Sequence, residues 1–223
     1  MKRRSLPIAA ALVATAALLL TACGGEDGKY SGNGKVTGAE PNTAEPKNSA
    51  DPSATSPKDK CDGVDVSLPA DVNLVFDWNK PKAKNEAAAM DDAANYLRAI
   101  YKGVDDRTAE GAAVTAYSTG DGLHYAQVQI GEWIKGGWTA TGTQRHYDAS
   151  TRSATNGNSV EVSFCTDASK FFGKEIRTKK ILTTEPSISD FDHFKIIMVK
   201  FPTRDGLWQA SKVFVETKAA KCR

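Results

Sequence analysis

The sequence predicts an α+β domain in which three N-terminal helices pack on a curved antiparallel sheet. Two observations carry this. Between residues 87 and 134 apolar side chains recur at steps of three and four, and from residue 138 onward they alternate instead. The turn dipeptides Asn156-Gly157 and Asp205-Gly206 punctuate the alternating half. Helices first and strands afterwards is the pattern of a domain that segregates its helices to one face of a sheet.

The first helix is predicted from Ala87, Met90, Ala94, Leu97 and Tyr101, with Gly103 as its stop. Ala109, Ala112, Ala113, Ala116 and Tyr117 give a second, ending at Gly120. Leu123, Gln127, Ile130, Trp133 and Ile134 give a third, opened by Asp121 as N-cap and closed by Gly136-Gly137. The Thr-rich residues 138–154 form the first long strand. In residues 159–165, Val160, Val162 and Phe164 face one way while Glu161, Ser163 and Cys165 face the other. A weaker strand is expected over residues 175–183, a central one over 191–201 and the last over 207–217. Residues 64–78 add at most an edge strand, because Pro69 cannot donate to a ladder.

The start of the chain reads as an address. Lys2-Arg3-Arg4 is followed by an uncharged run at residues 8–20, 13 residues long. That is short of the ~20 residues a spanning helix needs and the size of a signal-peptide core. Leu20-Thr21-Ala22-Cys23 resembles a bacterial lipobox, which implies cleavage after residue 22 and a diacylglyceryl group on the Cys23 thiol. Residues 24–60 carry six Gly and four Pro but no Leu, Ile, Phe, Trp or Met, too little apolar area to offset the entropy of ordering them. The expected organisation is a signal peptide at 1–22, a lipidated Cys and disordered tether at 23–60, and one domain at 61–223. The tether's reach is roughly 35 Å, which places the domain outside the cell membrane, on its extracytoplasmic face. Gly32-Asn33-Gly34-Lys35-Val36 lacks the spacing and frame of a phosphate loop.

Composition over 223 residues, 40% hydrophobic, 25% charged and 8% aromatic, excludes wholesale disorder, collagen and a polytopic membrane protein. The net charge is +2, but three cations lie in the predicted signal peptide, leaving 26 Lys and Arg against 27 Asp and Glu. No nucleic-acid partner is expected from that balance.

The helix-then-sheet layout, Gly137-Trp138-Thr139-Ala140-Thr141-Gly142 opening the first long strand, Cys165-Thr166-Asp167-Ala168-Ser169 closing the second, Trp208-Gln209 and a Cys near the C-terminus resemble exported bacterial lipoproteins with an NTF2-like (SnoaL-like) cone domain. The resemblance covers residues 85–222. Without Cys23, three cysteines remain, Cys61, Cys165 and Cys222, and any pairing strands one thiol. The resemblance places a Cys at both 165 and 222, which implies that bridge. It also implies a homodimer through the sheet.

Motifs of common enzymes are missing: no GxSxG, HExxH, SxxK, Walker loop or helix-opening GxGxxG. No CxxC spacing suggests a metal, and no cofactor is expected. NTF2-like folds host isomerases and dehydratases that use an Asp or His inside the cone, but no such pattern matches residue by residue. The only catalytic candidates are His146 and Asp148, two apart on one strand and so on one face, with Gln144 beside them. His193 and Asp192 should face opposite sides, and His124 should be exposed. Trp133, Trp138, Phe171, Phe172, Phe194, Trp208 and Phe214 are expected in the core. Lys170, Lys174, Arg177, Lys179 and Lys180 are expected on a solvated hairpin, with contact to an anionic lipid or wall polymer as the alternative. The expected function is a lipid-anchored, non-catalytic extracellular module that binds a small ligand or envelope protein. The alternative is an isomerase or dehydratase using the His146/Asp148 pair.

Overall fold

The structure is a computed structural model that describes residues 64–203 and 206–223. Cys23, Cys61, the signal peptide and the tether lie outside the described residues.

The domain is α+β with a mixed six-stranded sheet. Its strands are β1 (Val72–Asp77), β2 (Trp138–Ser153), β3 (Ser159–Glu175), β4 (Ile181–Leu182), β5 (Phe191–Lys200) and β6 (Trp208–Glu216). Their order is β1-β2-β3-β5-β6, with β4 added beside the end of β3. The helices, α1 (Lys84–Asp105), α2 (Ala112–Tyr117) and α3 (Gly120–Gly136), all fall between β1 and β2. This corrects two expectations. The helices do not come first, and the sheet is not wholly antiparallel: β1 pairs β2 in parallel. A strand pair joined through a helical crossover arrives in the same direction, so the intervening helices dictate that pairing.

Several element boundaries also differ from expectation. α1 runs past Gly103 to Asp105, because Ile130 packs where a Cβ at Gly103 would be and the next turn still buries Val104. The Ala109 turn is not helical. Thr119, not Asp121, is the N-cap of α3, whose first-turn acid is Asp121. Gly137 closes α3 with φ +74, a conformation that disfavours side chains. The expected strand over 175–183 shrinks to two residues because β3 extends through Glu175 and then turns.

β5 lies inside the sheet, paired with β3 on one side and β6 on the other, and β3 is the middle strand, between β2 and β5. Val160, Val162 and Phe164 of β3 are fully buried, as alternation predicts. α1 lies across the sheet, touching β2, β3, β5 and β6, while α3 rests chiefly on β6. Gly122 permits that approach, since a Cβ there would lie 2.1 Å from the Ala210 carbonyl oxygen. Beside it the Tyr96 hydroxyl donates to the Gly122 carbonyl at 2.8 Å. Buried Asp92 on α1 accepts the Trp208 backbone N–H at 2.8 Å and an Asn95 amide N–H at 3.2 Å, tying helix to sheet. The Gln209 amide donates to the Thr115, Ala116 and Ser118 carbonyls, satisfying the C-terminal end of α2. Trp208 is buried, but Trp138 and Phe214 are 38% and 48% exposed, not core.

Cys165 and Cys222 are bridged, with Cα atoms 5.4 Å apart. The bridge sits with Ala219, Tyr147 and Phe191 in a small second core on the face opposite the helices. The Tyr147 hydroxyl donates to the Cys222 carbonyl, fastening the C-terminal turn further. Because the bridge spans 57 residues, its loss through a Cys165→Ala/Cys222→Ala double variant is expected to cost about 4 kcal/mol. Urea unfolding followed by circular dichroism would measure this; an unchanged midpoint would contradict it.

Candidate functional site

The sheet register sorts side chains between a helix-covered inner face and an uncovered outer one. Phe76, His146, Thr166 and Asp192 pair successively across β1, β2, β3 and β5, so they form one inward rung. Neighbouring rungs place Gln144 of β2 and Phe171 of β3 on the same face, under α1 and α3.

His146 sits at the dry end of this rung, 1% exposed. Its ring stacks on Phe76 at 4.8 Å between centroids and meets Phe164 edge-on at 5.5 Å, with Trp78 at 6.4 Å. Nδ1 is 3.0 Å from the Thr166 hydroxyl oxygen. Nε2, like Trp78 Nε1, is a buried nitrogen without a hydrogen-bond partner. Burial, reinforced by the Arg98 guanidinium, depresses the His146 pKa to about 3. Arg98 in turn stacks over Phe76 at 4.7 Å and donates to Asn95 at 2.9 Å. His146 is therefore a neutral core imidazole at physiological pH.

Asp148 is not its partner. β2 carries a bulge here: Tyr147 pairs Cys165 and Ser150 pairs Ser163, so Asp148 and Ala149 together oppose Phe164. Ala149 takes the inward place, packed on the core, and Asp148 is exposed at φ +52. The extra residue breaks the alternation on which the His146/Asp148 pairing is based.

At the wet end of the rung stands Asp192, half-buried, accepting the Lys218 backbone N–H at 3.2 Å. Desolvation raises its pKa, with the Asp190 charge adding to the effect. Asp192 faces Tyr101 of α1 and Tyr125 of α3 closely enough that its charge raises the pKa of both phenols, chiefly on top of burial; that of Tyr125 reaches about 12. The Tyr101 hydroxyl also interacts with the Gln144 side chain. Around them Tyr101, Trp133 and Phe171 form an aromatic cluster, with centroid separations of 4.9, 6.1 and 6.4 Å. All of these side chains retain partial solvent contact. Two phenols that stay protonated, one carboxyl, one amide and two further rings thus converge at a half-open margin, an arrangement suited to holding a flat apolar molecule by a polar group.

The sequence does not single out Asp192, Tyr101 and Tyr125 as a group. In it Tyr101 belongs to the α1 apolar stripe, and Asp192 is placed only as facing away from His193. That orientation is borne out, since His193 lies on the outer face with Lys195, Ile197, Lys212, Phe214 and Glu216. These residues line an open groove of about 610 Å³. It is bounded by Glu161, which pairs with Lys195 at 3.6 Å, and by the Lys221–Glu216 ion pair at 2.7 Å. His124 is exposed. Among the described residues no three His, Cys, Asp or Glu side chains are grouped as metal ligands, and no helix is long and apolar enough to cross a membrane.

No family model matches the sequence, and no curated protein matches it. Solved structures similar to the chain include the intermembrane-space region of the chloroplast protein ARC6, at 10% identity and TM-score 0.42, covering 61% of this chain and 99% of that one. Aln2 from a Streptomyces species aligns at 11% identity and TM-score 0.38, covering 56% and 86% respectively. A protein from Catenulispora acidiphila aligns at 10% and 0.40, covering 62% and 98%. With TM-scores below 0.5, these similarities assign the chain neither a family nor an activity.

The depressed pKa of His146 has a linkage consequence. The unfolded chain binds a proton near pH 6.5 that the folded chain refuses until about pH 3. Stability from this group is complete above pH 6.5 and is lost progressively as pH falls through that window, amounting to several kcal/mol. Urea midpoints at pH 7 and pH 4.5 should therefore differ strongly in the wild type. In His146→Gln, which cannot titrate, the difference should shrink; an equal slope in both proteins would show that His146 is not the group responsible.

Proposed function

We propose that the chain is a lipid-anchored, extracytoplasmic module with an NTF2-like cone that binds a small, flat, apolar molecule bearing a hydroxyl or carbonyl group. The observation that carries this reading is the half-open margin where Tyr101, Tyr125, Gln144 and Asp192 meet the rings of Trp133 and Phe171. Apolar walls supply affinity, and a few convergent polar groups fix orientation. Support for the cone comes from the helices gathered on one face, the bulged long strands and the 165–222 bridge. A second copy of the chain, expected from the family resemblance, would sit on the uncovered outer face.

The isomerase or dehydratase alternative draws no support from His146 and Asp148. A general base must reach the proton it removes and hold a pKa near the working pH; His146 is walled in by three aromatic rings and Asp148 faces solvent. Binding without chemistry is the reading the geometry favours.

Two measurements test it. 2-Naphthol, a flat aromatic alcohol, should bind with a change in its own fluorescence, and Asp192→Asn and Tyr101→Phe should each weaken that binding about tenfold, the loss of one hydrogen bond to a polar or charged group. Binding unaffected by both variants would place the ligand elsewhere. For the anchor, mass spectrometry of the native protein should find a diacylglyceryl group that Cys23→Ala removes; a native protein carrying no lipid mass would contradict lipidation at that thiol.

A further inference from the structure

We propose that the end of the domain formed by Trp138 and the 176–180 turn docks directly on an anionic lipid surface. β2 begins at Trp138 and β3 ends at Glu175, directly opposite it, so the β3–β4 turn and the C-terminal end of α3 share one end of the sheet. At this rim Trp138, on the helix-covered face, is 38% exposed, and Ile181, which pairs with Lys174 on the opposite face, is 47% exposed. Beside these two apolar side chains stand Arg177, Lys179 and Lys180, with Lys170 further along β3, all exposed. None of the four has an ion-pair partner among the described residues, and the local acids, Asp71 and Glu175, are engaged by Lys174 and Thr178. An exposed indole and an aliphatic side chain flanked by unpaired cations is the chemistry of a membrane interface: the ring enters the headgroup layer while the cations meet lipid phosphates.

The first described residues lie toward this same end of the domain. Asp65 lies within electrostatic range of Lys102 in the last turn of α1. Just beyond that helix, Arg107 donates to the Ile134 carbonyl at 2.8 Å and the Trp138 carbonyl at 3.2 Å, joining the helix end to the Trp138 margin. Asp71, just before β1, binds Lys174 and Thr141 at the same end. Residues 65 and 71 therefore place the start of the described chain at the end that carries the cationic surface. If Cys23 is lipidated, as proposed above, a lipid chain with this polybasic patch makes the two signals that stable attachment takes.

The test separates docking from anchoring by using the mature chain, residues 23–223, with Cys23→Ser. It should co-sediment with vesicles of equimolar phosphatidylglycerol and phosphatidylcholine, not with phosphatidylcholine alone, and high salt should release it. Each cation near the surface is worth about fivefold in partitioning, so Arg177→Gln, Lys179→Gln and Lys180→Gln combined should weaken binding roughly a hundredfold. Quenching of protein fluorescence by brominated lipid should vanish in Trp138→Phe. Equal binding to both vesicles, no binding, or capture by insoluble wall polymer with vesicles ignored would each overturn the proposal. Docking by the Cys23→Ser chain with no lipid found on the native one would uphold docking and overturn only the anchor. A lipidated native chain whose Cys23→Ser variant ignores vesicles would do the reverse.

Discussion

The pairing of β2 with β3 is the constraint on which the other parts depend. These strands, 16 and 17 residues long, are the spine to which β1, β4 and β5 attach, and helices cover only one of their faces. Side-chain parity along them therefore decides which residues are dry. Two irregularities modify that parity: Asp148 and Ala149 on β2, and the Ala168-Ser169 pair facing Gln144 on β3. Each inserts one residue on one strand, re-aims the side chains beyond it and bends the pair. With the bulges in place, Phe76, His146, Thr166 and Asp192 fall on one inward rung and Tyr147, Cys165 and His193 on the outward one. A slip of one residue would exchange the two sets, moving the disulfide inward and His146 into water.

Features that depend on neighbours in sequence are legible in it. The alternation of Val160, Val162 and Phe164, the helical stripe of α3 and its αL glycine stop all belong to this class. Features that need partners distant in sequence are not. The direction of β1 follows from its placement before three helices, and nothing in residues 72–77 themselves announces a parallel neighbour. Asp167-Ala168-Ser169 reads as the close of a strand, yet a bulge absorbs the extra residue and β3 continues to Glu175. Asp148 illustrates the cost most directly: period-two reasoning is sound until one added residue reverses its sign.

The group Tyr101, Tyr125 and Asp192 is illegible for the same reason. It draws on α1, α3 and β5, and no spacing between positions 101, 125 and 192 predicts that they meet. A weaker signal is present. Two tyrosines on the apolar faces of helices bring hydroxyls toward a sheet, and buried phenols need polar partners. Asp192, opening an apolar strand on the side opposite His193, is an inward carboxyl available to face them.

Along the inward rung the surroundings grade from dry to wet, and the two titratable groups on it respond in opposite ways. At His146 three aromatic rings exclude water, so the charged imidazolium is the disfavoured form and the ring stays neutral. At Asp192 the carboxylate is the disfavoured form, so its proton is held more tightly than usual, while a backbone N–H from Lys218 still supports the charge. Both shifts come mainly from desolvation, yet only one of the groups keeps contact with solvent. A depressed pKa in a closed aromatic box reports packing and nothing more. A raised pKa on a half-open carboxyl, flanked by phenols that remain protonated, reports a place where a visiting molecule can exchange hydrogen bonds with the protein. The proposed binding site therefore lies at the aspartate end of this rung, and the histidine, the more conspicuous residue in the sequence, is part of the wall behind it.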